Sequence, residues 1–170
     1  MTWEAKFHNF ILSRGIPMLK TNGSRTMFVA DYMTHKVFTI RLDKKLLAVK
    51  DLMGWAHVRH VPVIDSLGHL VGMLSHRDLL AASLTTEDDK KTEFDRKRHL
   101  WTIPVDKVMR EQVVCIAPTD TIAHAARIMR HRKIGALPVV QNKKLVGIIT
   151  EYDLLRVIEE TFGDVTEAEA

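Results

Sequence analysis

The chain has 170 residues, 46% apolar and 27% charged, with 25 Lys and Arg against 21 Asp and Glu. This is the composition of a globular protein with room for one sizeable core or two small ones, and a surplus of four positive charges reads first as a solvated surface with a modest excess, compatible also with nucleic acid or a phosphorylated small ligand. No window approaches the roughly 20 apolar residues that cross a bilayer, the Met1 end lacks a charged stretch followed by an apolar run, and the single cysteine, Cys115, excludes an internal disulfide and suits a reducing compartment; a cytoplasmic protein is expected.

Residues 1–28 read as an extension. Trp3, Phe7, Phe10 and Ile11 recur at helical spacing. Gly15 and Pro17 end that pattern, and Thr21 to Ser24 reads as a turn. Such an aromatic-rich segment is expected to pack on this domain or on a second copy of the chain.

A first unit occupies residues 29–82. Val29 to Met33 reads as one turn of helix, and Val37-Phe38-Thr39-Ile40 as a strand. Asp43 suits the N-cap of a helix whose apolar face is Leu46, Val49, Met53 and Ala56. Strands over Val61–Ile64 and Leu70–Leu74 follow, joined at Gly68. A helix then runs from about Ser75 to Ala82. Residues 83–104 break the pattern. Thr85 to Lys91 reads as an exposed polar loop, while Phe94, Leu100 and Trp101 suggest a partly helical segment that touches the core.

A second unit, residues 105–162, repeats the first. Met109 answers Met33, Val113 answers Val37, Ile116 answers Ile40, and Thr119 takes the N-cap place of Asp43. Ile122, Ala125, Ala126 and Met129 form the helix face. Pro138-Val139 answers Pro62-Val63, and Val146-Gly147 answers Val71-Gly72. Thr150-Glu151-Tyr152-Asp153 answers Ser75-His76-Arg77-Asp78. Gly163 is placed as a C-cap, and residues 163–170 form an acidic tail. A β-α-β-β-α unit of this size exposes an apolar sheet face. Two in tandem can bury those faces against each other about a pseudo-twofold axis.

A Met in the lead-in, a Pro-Val strand, a Val-Gly strand and then Ser/Thr-x-x-Asp, all duplicated in order, resemble a tandem pair of CBS domains, a Bateman module. The resemblance covers roughly residues 29–160. It implies an α/β (α+β) fold of two pseudo-twofold-related repeats packed sheet to sheet. It also implies a stand-alone, non-catalytic sensor that binds AMP, ADP or ATP in clefts between the repeats, with S-adenosylmethionine and NAD as alternatives. It further implies a homodimer whose altered surface is read by a partner protein that the sequence does not identify.

Carried over residue by residue, the resemblance places Asp78 and Asp153, with Ser75 and Thr150 beside them, at the ribose. Arg59 and His60 are placed at phosphate, joined by Arg132 and Lys133. Thr39, Val61, Gly135, Ala136 and Leu137 are placed near adenine, and His57 and Arg77 close to the first cleft. A carboxylate can accept both vicinal ribose hydroxyls through strong charge-assisted bonds, and a helix N-terminus favours an anion nearby. The same Ser/Thr-x-x-Asp strings are also close to capping boxes, which need no ligand. Arg132 and Lys133 can equally cap a helix C-terminus. Cys115, the counterpart of Thr39, is expected to be a small buried side chain.

A ligand-free dimerisation or protein-interaction module remains the alternative. A nucleic-acid binder rests only on the net charge and the Arg127 to Lys133 cluster, and is not expected. Neither His57 with His60 nor His124 with His131 has the partners of a zinc site. No nucleophile–base pair, Gly-rich phosphate loop or metalloprotease motif points to an enzyme.

Overall fold

The computed structural model describes residues 26–83 and 92–162. The expected N-terminal helix, the polar run Thr85 to Lys91, the Gly163 cap and the acidic tail lie outside the described residues. In chain order the elements are α1 (Val29–Tyr32), β1 (Ile40–Arg41), α2 (Leu46–Ala56), β2 (His60–Ile64), β3 (Leu70–Ser75), α3 (His76–Ser83) and α4 (Glu93–Thr102). A 3-10 turn (Val105–Lys107), α5 (Ile122–Arg132), β4 (Ala136–Gln141), β5 (Lys144–Thr150) and α6 (Glu151–Phe162) complete them. The fold is mixed α+β.

In the first sheet β1 runs parallel to β2, and β2 antiparallel to β3. The second sheet is the β4–β5 hairpin, beside which Ile116 bridges Val139 in the parallel sense. Its turn is the two residues Asn142 and Lys143, both at positive φ (51° and 65°), the geometry that matches strand twist in a tight hairpin. Pro62 lies opposite Met73 and Pro138 opposite Ile148, Val63 faces Gly72, and Val139 faces Gly147. Each hairpin carries a register shift one residue past that valine.

The expected first strand, Val37 to Ile40, is shorter than its β-branched composition suggests. Only Ile40 and Arg41 pair. The cause is the lead-in before it. Thr34 spends both backbone groups on Ile148 of the other repeat, N–H to carbonyl at 2.9 and 3.0 Å. Residues 37–39 then cross back between the repeats without a ladder partner. Arg110 does the same with Met73, at 2.9 and 3.0 Å. Val37 and Val113, at the two crossings, close a small apolar cluster of Met73, Ala136 and Ile148 where the two sheets meet.

The expected caps at Asp43 and Thr119 are replaced for the same reason. The N-cap of α2 is Lys45, with no side-chain cap, and Asp43 instead accepts from Arg41 Nε at 3.2 Å. The N-cap of α5 is Thr121. The first helical N–H of α2, on Leu46, donates to Ile103, and that of α5, on Ile122, donates to Met27. Each helix start thus takes a carbonyl from the other repeat's lead-in; α2 has no side-chain cap, whereas in α5 Thr121 Oγ1 also accepts from the His124 N–H at 3.1 Å.

The cores follow this exchange. Val29 is buried in the second repeat's core with Ile122, Met129, Leu137 and Ile149. Leu100 and Val105 are buried in the first repeat's core with Leu46, Val61 and Leu74. Of the aromatic pair expected to touch the core from α4, Phe94 and Trp101 stay exposed while Leu100 carries the contact. A Lys50–Glu93 pair at 2.6 Å ties α4 to α2. Cys115 is exposed rather than buried, its thiol directed to the Val113 carbonyl at 3.6 Å.

The two Val-Gly strands are explained by what lies on them. A Cβ on Gly72 would run into the Met109 sulfur, and one on Gly147 into the Met33 sulfur. Gly72→Ala or Gly147→Ala is expected to cost about 1–3 kcal/mol by overpacking. The cost of Gly72→Ala should shrink in a Met109→Ala background, a coupling that a double-mutant cycle of urea melts measures. Leu100→Ala, though outside both repeats in sequence, is expected to destabilise the fold by about 2–5 kcal/mol in the same assay.

Candidate functional site

Ser75 ends β3 and Thr150 ends β5, so each lies at a strand-to-helix corner. Both corners are closed capping boxes. Ser75 N–H and Oγ donate to Asp78 Oδ2 at 2.9 and 2.5 Å, and Asp78 N–H returns a bond to Ser75 Oγ at 3.2 Å. Thr150 N–H and Oγ1 donate to Asp153 Oδ2 at 2.8 and 2.7 Å, with Asp153 N–H to Thr150 Oγ1 at 3.4 Å. One oxygen of each carboxylate is therefore committed to its helix, and the chemistry of the site turns on the other.

The two remaining oxygens differ. Asp78 Oδ1 accepts from Arg110 Nε at 3.2 Å and Nη2 at 2.9 Å. Burial alone would raise the Asp78 pKa, but the Ser75 hydroxyl and amide together with Arg110 outweigh it and hold the carboxyl below its ordinary value. Asp153 is 6% exposed and is the one buried charged residue among the described residues. Its Oδ1 accepts no hydrogen bond among them.

Two cavities flank these carboxylates. The first, about 580 Å³, includes Thr150 and Asp153 with Thr34, Phe38, His57 and Tyr152. The second, about 720 Å³, includes Ser75 and Asp78 with Arg77, Arg110, Arg130 and Lys133. Both lie within the roughly 300–1,000 Å³ of small-molecule sites. Arg59, His60, Gly135 and Glu151 line both, so the cavities share a wall at the pseudo-twofold centre. That wall is held by equivalent backbone bonds, His76 N–H to the Arg59 carbonyl at 2.8 Å and Glu151 N–H to the Gly135 carbonyl at 3.0 Å. A side chain at Gly135 would crowd the Glu151 carboxylate.

Of the residues placed by sequence reasoning, Ser75, Asp78, Thr150, Asp153, Arg59, His60, Lys133, Gly135 and Ala136 line one or both cavities, as do His57 and Arg77. Arg132, Thr39, Val61 and Leu137 line neither. Val61 and Leu137 are fully buried in the two cores. Lys133 takes the left-handed conformation after α5 (φ 54°), which turns the chain so that Lys133, and not Arg132, reaches the cavity. His60 was expected to bring charge to a phosphate. Burial lowers its pKa, against the pull of Glu151 and Asp78, so near neutral pH it is a neutral donor or acceptor and the charge on the shared wall is that of Arg59.

Sequence reasoning missed Thr34 and Arg110. They follow Met33 and Met109, and the repeat alignment that matched the methionines also pairs these two. Among the described residues no cluster of three or more His, Cys, Asp or Glu could hold a metal ion, and no helix is long and apolar enough to cross a membrane.

The comparisons with known proteins fall on the same two units. The CBS domain family matches residues 29–85 and 105–160. A CBS domain-containing protein of Dictyostelium discoideum is 31% identical over 133 residues, 78% of this chain and 91% of that one. The crystal structure of an acetoin utilization protein (AcuB) from Vibrio cholerae, 32% identical, superimposes with a TM-score of 0.69 over 86% of this chain and all of that one. The crystal structure of CBSX2 in complex with AMP, 26% identical, gives 0.66 over 79% of this chain and 98% of that one. Two matched units, each with a Met lead-in lying on the other's Val-Gly strand, show that the chain belongs to the CBS-domain family as a tandem pair.

Proposed function

We propose that the chain is a non-catalytic regulatory module that binds adenosine-containing ligands, AMP, ADP or ATP first among them, in the cavities between its repeats. The observation that carries this reading is Asp153. It is a buried carboxylate on a cavity wall with one oxygen fixed by the helix cap and the other without a partner among the described residues. Among the described residues no buried side-chain oxygen lacks a partner, so this one is open to the cavity, where it can accept a charge-assisted bond from the vicinal hydroxyls of a ribose. The likeness to CBSX2, solved with AMP, supports the ligand class.

In this reading Asp153 with Thr150, and Asp78 with Ser75, serve the ribose. Arg59 reaches the phosphate from the shared wall, His60 adds a neutral hydrogen bond, and Lys133 adds charge in the second cavity. Gly135 and Ala136 leave room for the base close to the backbone. Ligand binding then favours one arrangement of the repeats by its differential affinity, and a partner protein reads the result. The exposed Cys115 thiol fits a reducing, cytoplasmic setting.

The module acts as a homodimer. Tyr152, Leu155, Ile158 and Phe162 form an exposed stripe along one side of α6, with Leu80 exposed on α3, and a contiguous apolar face of this kind marks an interaction surface. The second reading, a dimerisation or docking module without nucleotide, is favoured by one specific observation: both Ser/Thr-x-x-Asp strings are complete helix caps without any ligand.

Calorimetry separates the two readings. Asp153→Asn is expected to weaken adenosine and AMP alike, because ribose is common to both. Arg59→Ala is expected to weaken AMP by roughly ten- to a hundred-fold while sparing adenosine, the loss of a charged hydrogen bond being about 1.5–3 kcal/mol. A folded chain that binds neither ligand would leave only the docking reading. Light scattering should give a dimer at micromolar concentration, and Leu155→Glu should shift it toward monomer; a wild-type monomer with and without AMP would remove the homodimer.

A further inference from the structure

The two cavities are built by the same rule and finished differently. Each takes its carboxylate from one repeat and its facing lead-in residue from the other. Thr34 pairs its backbone with Ile148 and lines the Asp153 cavity, and Arg110 pairs its backbone with Met73 and lines the Asp78 cavity. The residues occupy the same place after Met33 and Met109, so the pseudo-twofold axis exchanges them. Thr34 is short and uncharged and makes no side-chain bond to Asp153 among the described residues. Arg110 is long, and two of its N–H groups converge on Asp78 Oδ1 at 2.9 and 3.2 Å.

We propose that Arg110 is a selectivity residue that closes the Asp78 cavity to an uncharged nucleoside, leaving the Asp153 cavity as the one that accepts it. The proposal rests on the nucleoside-binding reading above. With Oδ2 held by Ser75 and Oδ1 held by Arg110, Asp78 has lost the acceptor that its counterpart keeps. The Asp78 side chain is 13% exposed and Arg110 66%, and a ribose that used Oδ1 would have to displace the guanidinium from it. Entry would exchange two charge-assisted bonds for weaker bonds from neutral hydroxyls. Adenosine offers nothing in return, because it carries no anion for the displaced guanidinium. The occupant excluded is thus the neutral nucleoside, on the chemistry of one acceptor atom.

The test is calorimetry of the full chain with adenosine as the probe. The wild type is expected to bind one adenosine per chain, at least ten-fold more tightly than any second, and Asp153→Asn to lose it. Arg110→Thr, which installs the residue found at position 34, is expected to bind two. Adding Asp78→Asn to Arg110→Thr should return the count to one. The converse change, Thr34→Arg, should abolish wild-type binding. Thermal melts confirm that each variant is folded, and Arg110→Met, which keeps length without charge, stands in for Arg110→Thr if that variant is not.

Two equal adenosine sites in the wild type, or a single site in folded Arg110→Thr and Arg110→Met, would overturn the role of Arg110 while leaving nucleoside binding in place. No binding of adenosine or AMP by any of these chains would overturn the nucleoside reading and this assignment together.

Discussion

The structure depends on one exchange. Each repeat sends its lead-in onto the last strand and first helix of the other. The exchange is made of backbone bonds, Thr34 with Ile148 and Arg110 with Met73, and of two methionine sulfurs seated where Gly72 and Gly147 lack a Cβ. It caps α2 and α5 through Ile103 and Met27, shortens the first strand of each repeat, and delivers Val29, Leu100 and Val105 into the opposite cores. It also places Thr34 and Arg110 in the cavities. Fold and site are therefore consequences of the same contacts.

The site shows how a repeated unit acquires two different pockets. The acidic corner is the same in both, one carboxylate oxygen closing the cap in each. What differs is carried by residues that the caps do not constrain: Arg59 opposite Gly135, His76 opposite Glu151, and Arg110 opposite Thr34. These positions sit on the shared wall or on the lead-ins, so each substitution alters charge without disturbing a core. The second cavity is also the more cationic, with Arg77, Arg110, Arg130 and Lys133 beside Asp78, while Arg59 and Glu151 are common to both.

Much of this was legible in the sequence because duplication supplies its own alignment. The hairpins, the helix faces Leu46–Val49–Met53 and Ile122–Ala125–Met129, and the Ser/Thr-x-x-Asp corners all follow from local periodicity, which acts over one element. The missed features are long-range. Nothing within a few residues of Asp43 or Thr119 tells that a carbonyl from the other repeat will satisfy the helix start. Nothing near Val37 tells that the chain is crossing between sheets. Val61 and Leu137 were placed beside a ligand, yet they are fully buried in the two cores, and strand alternation, which puts each on the side of Arg59 or Gly135 two residues earlier, does not reveal it. Arg132 was displaced by the left-handed turn at Lys133, a backbone conformation that a lysine does not announce.

The exchange of lead-ins also sets an order of events. Residues 26–34 are synthesised first of the described chain, but Val29 and Ala30 bond to Asp120 and Pro118, and Thr34 bonds to Ile148. On the ribosome these residues must wait, unpaired, until most of the second repeat has emerged, whereas α2, β2 and β3 have their neighbours close in sequence. Contacts of such long sequence separation pay their loop-closure entropy before they return any stability, and they form late and slowly. The first repeat can collapse while still lacking Leu100 and Val105, and the nascent chain then carries an open apolar slot on each half until the two lead-ins trade places.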